Sequence, residues 1–145
     1  MRIEFRIDPT AVFYAVMDKT ILDKAGLEAQ SGVLLGDKFA LSKSEEDAFF
    51  VELDNAINNL CFYLPLLEWE PNDGIDMAIQ SKKDVKPHSV ALLVSKALQQ
   101  LMLAWWYEAR NPNYAALAEQ RSKVTISEIR RLVEGSTTER PYRFF

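Results

Sequence analysis

Residues able to do chemistry are few in this chain and far apart. Four acids, Glu68, Glu70, Asp73 and Asp76, crowd one stretch and could offer oxygen ligands to a divalent cation. A calcium loop needs acids at alternate positions closing on a distal glutamate, and this spacing matches none. The four are expected to be solvated turn charges. Glu52 and Asp54 could serve as the paired carboxylates of a hydrolase, yet on a helix they project to different faces. The one histidine, His88, follows Pro87, where an imidazole could exchange protons near neutral pH. It has neither a nucleophile elbow nor a glycine-rich phosphate loop to work with, and reads as a surface or boundary residue. The one cysteine, Cys61, lies in an apolar stripe that raises a thiol pKa and reads as a small core residue. One Cys and one His cannot build a disulfide or a Cys/His zinc cage. No metal or cofactor is therefore expected, nor is the chain expected to be an enzyme.

The residue types that point outward are those of recognition. Trp105, Trp106 and Tyr107 end a long apolar run, and Arg140-Pro141-Tyr142-Arg143-Phe144-Phe145 has the aromatic and arginine composition of an interface anchor. From Arg121 onward, Arg121, Lys123, Arg130, Arg131, Arg140 and Arg143 outnumber Glu128, Glu134 and Glu139, whereas the rest of the chain is acidic. An acidic front half and a basic tail give an electrostatic route to head-to-tail self-association. The candidate partner-binding residues are thus Trp105, Trp106, Tyr107, Arg140, Tyr142, Arg143, Phe144 and Phe145, with docking of the tail favoured over disorder.

Several elements must position these groups. Ile3, Phe5 and Ile7 alternate with Arg2, Glu4 and Arg6, which predicts a strand over Met1 to Ile7. Asp8 then caps a helix with Pro9 at its first position. That helix is expected to run to about Lys24 on Val12, Phe13, Val16, Met17 and Ile21, with Gly26 as terminator and Leu27 to Leu41 as a loop. Ser42 or Ser44, with Glu45 or Asp47 three residues on, predicts a capping box. The helix it opens carries Phe50, Leu53, Ile57, Leu60, Cys61 and Leu64 as its stripe and stops at Pro65.

Leu66 to Glu70 and Ile75 to Gln80 flank the turn Asn72-Asp73-Gly74 and predict a β-hairpin. A hairpin alone is marginal in water, so the strand at Met1 to Ile7, a helix face or a neighbouring subunit must support it. Pro87 opens a third helix, and the apolar residues of Val90 to Tyr107 cover nearly its whole circumference, so it must be buried on most sides. Asn111-Pro112 resets the chain. Tyr114 to Glu134 follows as a fourth helix, with Tyr114, Leu117, Val124, Ile129 and Leu132 as its apolar positions and Gly135 as its close. The expected fold is mainly α: four helices, a minor antiparallel β-hairpin and a short N-terminal strand, a helix-dominated α+β arrangement. Residues 1–145 form one domain, ending in a C-terminal tail over 136–145.

A chain of 145 residues can bury ~70% of its unfolded surface, enough for one core without staples. Its net charge of −4 argues against broad nucleic-acid binding. The first eight residues alternate polar and apolar, unlike a signal peptide. The run to Tyr107 is broken by Lys96, Gln99 and Gln100 and falls short of the ~20 residues of a membrane span. A cytoplasmic location with no membrane is expected.

Phe5-Arg6-Ile7-Asp8-Pro9-Thr10-Ala11-Val12, the acidic capped helix of Glu45 to Leu64, the polar-flanked hairpin, Ala104-Trp105-Trp106-Tyr107 and the closing Arg140-Pro141-Tyr142-Arg143 together resemble small structural proteins of tailed-phage and prophage morphogenesis clusters, themselves similar to head–tail connector, or adaptor, subunits. The resemblance spans most of the chain in the order and length of its elements. It implies a non-enzymatic virion protein that forms a ring at the portal, as a homo-oligomer or with portal or neck proteins, and makes passive contact with DNA in the channel. The rival expectations are an intracellular regulatory or immunity module gripping one partner through Trp105, Trp106 and Tyr107, and a helical hydrolase using the hairpin acids.

Overall fold

A computed structural model describes residues 1–64 and 67–135 of the chain. The order of elements is β1 (Arg2–Ile7), α1 (Pro9–Ser31), a short 3-10 turn (Lys43–Glu45), α2 (Glu46–Tyr63), β2 (Leu67–Pro71), β3 (Ile75–Gln80), α3 (Pro87–Tyr107) and α4 (Pro112–Glu134). The helix-dominated α+β arrangement expected from the sequence is what the chain adopts. β3 is the central strand, antiparallel to β1 on one side and β2 on the other. The N-terminal strand therefore supplies the third strand that the hairpin needs.

The sheet separates its two faces cleanly. Ile3, Ile7, Ile75, Met77, Ile79 and Leu67 turn into the core, as period-two alternation requires. On the outer face Arg2 joins Glu4 at 3.0 Å and Glu68 at 3.1 Å. Glu4 and Glu68 are the two register neighbours of Ala78, so the guanidinium bridges over this small residue and leaves it only 5% exposed. Arg6 closes the other end of the sheet by donating to Asn72 O and Asp73 O, with Asp76 3.6 Å away. Gly74 has φ 142°, and a Cβ there would stand 2.7 Å from Arg6 Nε. The turn thus needs glycine both for its backbone and for the arginine laid against it.

Helix α3 is the hub. It packs on α1, α2, α4 and β1 and buries Val90, Val94, Ala97, Leu98 and Met102 along with its aromatic end. The expectation that Val90 to Tyr107 lies buried on most sides holds, with Leu92 the exposed exception. α4 packs against it at close range, and here the expected apolar positions need correction. The inward face of α4 is Ala118, Ser122, Thr125, Ile126, Ile129 and Val133, whereas Leu117 and Val124 face solvent. Small side chains let two helix axes approach, and Thr125 Oγ1 donates to Gln100 Oε1 at 2.8 Å across the seam. In α2 the buried stripe is Phe49, Leu53, Ala56, Ile57 and Leu60, with Phe50 and Cys61 at its border. Cys61, expected in the core, is only half-buried, and that burial pushes its thiol up.

The first helix departs most from the sequence reading. α1 does not stop near Lys24 but continues through Gly26 to Ser31. Its real stop is Gly32, with φ 73° and its N–H bonded to Glu28 O. The left-handed conformation that ends a helix is adopted at the second glycine and not the first. Only residues 32–41 remain as the irregular connection.

Candidate functional site

Trp105, Trp106 and Tyr107 come together at the end of α3, but they face inward. Trp106 is 2% exposed, and its Nε1 donates to Phe39 O at 2.8 Å. The guanidinium carbon of Arg110 lies 3.5 Å from the Trp106 ring centroid, while Arg110 Nε donates to Lys38 O. Tyr107, also 2% exposed, donates its hydroxyl to Asp23 Oδ2 at 2.6 Å and stacks edge-on against Tyr114. Trp105 is half-buried, edge-on to Phe49. The polar tips of Trp106 and Tyr107 are satisfied by the connection between α1 and α2 and by α1 itself, which is the usual condition for burying such rings. The cluster pins the chain's own 32–41 segment, assisted by Thr20 Oγ1, which accepts from Leu41 N at 2.9 Å. Trp106 and Tyr107, expected as partner contacts, are thus engaged within the chain, Trp106 by the 32–41 segment and Tyr107 by Asp23 and Tyr114. Arg140, Tyr142, Arg143, Phe144 and Phe145 lie outside the described residues.

A cleft of about 200 Å³ opens beside this cluster, lined by Lys19, Asp23, Tyr107, Tyr114 and Arg121 among others. Lys19 Nζ pairs with Asp23 at 2.8 Å. Burial, then the hydrogen bond to the Asp23 carboxylate, pushes the Tyr107 phenol well above its ordinary value. It is held protonated, a hydrogen-bond donor and not a base. Two of the four hairpin acids are likewise occupied: Glu68 by Arg2, and Asp76 by Arg6 and by Asn72 Nδ2 at 2.9 Å. Among the described residues no three Asp, Glu, His or Cys side chains gather as a metal site, and no helix is long and apolar enough to cross a membrane.

What the chain leaves open is apolar surface. On α1, opposite the buried Val12, Phe13, Val16 and Thr20, stand Tyr14, Ile21 and Leu22, the last 68% exposed, and Leu34 just beyond the helix is 85% exposed. On α2, Phe62 is 81% exposed beside Tyr63. The sequence reading missed the α1 face because it ended that helix at Gly26. The available signal was a run of small and apolar residues at alternating steps of four and three, Ala11, Ala15, Leu22, Ala25 and Ala29, broken only by Asp18.

Compared with protein-family models, with curated proteins and with solved structures, the chain finds no match.

Proposed function

We propose that the chain is a non-catalytic assembly subunit of the head–tail connector type, working through contacts with copies of itself or with portal and neck proteins. The observation that carries this reading is the apolar surface of α1 at Tyr14, Ile21 and Leu22, left in water opposite the packed Val12, Phe13, Val16 and Thr20. Contiguous apolar surface of this kind marks an interaction site. The family itself rests on the motifs from Phe5-Arg6-Ile7-Asp8-Pro9 to Arg140-Pro141-Tyr142-Arg143. Such a subunit resides in the host cytoplasm and, once assembled, in the virion, where polar residues meet DNA passing through the channel. The competing reading, a module gripping a partner by Trp105, Trp106 and Tyr107, loses ground because two of those rings are already occupied. Light scattering of the full chain, alone and mixed with the portal protein encoded in its own gene neighbourhood, tests the proposal. A complex or self-assembly is expected. A chain that stays monomeric and ignores portal and neck proteins overturns it.

A further inference from the structure

Strand β1 is an edge of the sheet, paired on one side only. Met1 and Ser81 exchange main-chain hydrogen bonds. By antiparallel alternation the N–H and C=O groups of Ile3, Phe5 and Ile7 therefore point to β3, and those of Arg2, Glu4 and Arg6 point away from it. Among the described residues these outward groups have no main-chain partner. Phe5 gives a second sign of a missing neighbour. It lies on the core face between Ile3 and Ile7, which are 5% and 3% exposed, yet it is only half-buried. An open row of this kind is a template for another strand.

The chain holds such a strand within reach. Val133, in the last turn of α4, accepts from Lys82 N and from the Ser81 hydroxyl, and Ser81 N donates to Met1 O. Residues 136–145, which lie outside the described residues, thus set out from beside the first residue of β1. Ten residues reach ~33–36 Å, enough to run alongside β1, which is ~20 Å long, in the same direction. An antiparallel course would first have to cross to Ile7 and then return, ~40 Å in all, and is out of reach.

We propose that residues 140–145 add to β1 of the same chain as a fourth, parallel strand, with Tyr142 beside Ile3, Arg143 beside Glu4 and Phe144 beside Phe5. Three features of the sequence select this register. Tyr142 and Phe144 fall on the core face, where Phe144 covers the half-exposed Phe5. Arg143 falls on the outer face beside Glu4, whose Oε2 holds Arg2 at 3.0 Å and whose Oε1 has no partner among the described residues. Pro141, lacking an N–H, turns its nitrogen away from β1, the orientation in which a proline takes no bond from the ladder. A slip of one residue reverses all three, and a slip of two sets Arg143 beside Arg2 or Arg6. Docked in this way, tail residues expected to anchor a partner close the subunit's own sheet, whether or not the chain also assembles through another surface.

Amide exchange on the full chain is the test. Phe144→Pro removes the N–H that would donate to Glu4 O, and is expected to speed exchange at Glu4 and Arg6 roughly tenfold or more, while Ile3 and Phe5, bonded to β3, stay unchanged. On a Cys61→Ser background, Glu4→Cys combined with Arg143→Cys is expected to close a disulfide within one chain. Glu4→Cys combined with Phe144→Cys, on opposite faces, is expected not to. Exchange at Glu4 and Arg6 that is the same in the wild type and in Phe144→Pro overturns the proposal. A disulfide of the first pair that joins two chains at high dilution also overturns it, and moves the added strand to a neighbour's β1.

Discussion

Helices α1 and α3 have similar lengths, 23 and 21 residues, and both carry apolar side chains on more than one face. α3 finds neighbours on nearly every side, because α1, α2, α4 and β1 all converge on it. α1 finds them on one side only: its buried residues, Val12, Phe13, Val16 and Thr20, all lie in its first half, and none follows from Ile21 to Ser31. An apolar face is buried within a chain only when that chain has another element to lay against it. In this molecule the central helix takes those elements, and α1 is left with Tyr14, Ile21 and Leu22 in water.

The largest effect that could break this contrast is expected in α3. Leu98→Ala should cost ~2–5 kcal/mol by chemical denaturation, since Leu98 is fully buried and the truncation leaves a cavity. Leu101, only partly buried, should lose less. A loss below about 1 kcal/mol at Leu98 would show that α3 is no more central than α1.

Next comes the joint between the two helices. Tyr107→Phe removes the donor to Asp23 and leaves a carboxylate that is 13% exposed with Lys19 as its remaining partner; the expected cost is about 1–3 kcal/mol. Its pH dependence has a definite sign. The folded phenol has a raised pKa, so its contribution is complete below the unfolded value near ~10 and is lost as the pH climbs above that. Denaturation midpoints between pH 8 and 11.5 should fall more steeply for the wild type than for Tyr107→Phe. Equal slopes would mean the hydroxyl is not held by Asp23.

Smaller effects sharpen the other side of the comparison. Arg110→Ala should cost about 0.5–1 kcal/mol through its stacking on Trp106, and amide exchange should rise in the 32–41 segment ahead of the rest. Gly26→Ala should stabilise the subunit by up to ~1 kcal/mol, since a Cβ there meets nothing within 4 Å. Leu22→Ser should leave subunit stability within about 0.5 kcal/mol, in contrast to Leu98.

The chain's local punctuation was legible where chemistry forces a single answer. Asp8-Pro9 opens α1 with the Asp8 carboxylate accepting from Thr10 N at 2.9 Å, and Asn72-Asp73-Gly74 turns the hairpin. Gly26 and Gly32 could not be told apart, since either glycine can end a helix and only the surrounding contacts decide which does. The inward face of α4 was hidden for a similar reason. Leu117 and Val124 keep helical spacing, but close contact with α3 selects Ala118 and Ser122 over them. The contacts of Trp106 and Tyr107 were not legible because an aromatic ring with a polar tip serves a loop anchor as well as a partner surface. Their satisfaction by Phe39 O and Asp23 depends on residues far away in sequence.

The backbone around Ser81 has a kinetic consequence. Ser81 exchanges backbone hydrogen bonds with Met1, Lys82 N donates to Val133 O at 2.8 Å, and the Ser81 hydroxyl reaches that same carbonyl. Two adjacent residues thus clasp the chain's first residue and the last turn of α4. Closing this clasp spans 80 residues on one side and 52 on the other, and the entropy of loop closure grows with length. The α3–α4 pair, neighbours along the chain, can form early from local contacts, while β1 enters the sheet only after everything between it and β3 has been gathered. Refolding should therefore show protection of α3 and α4 amides before those of Arg2 to Ile7.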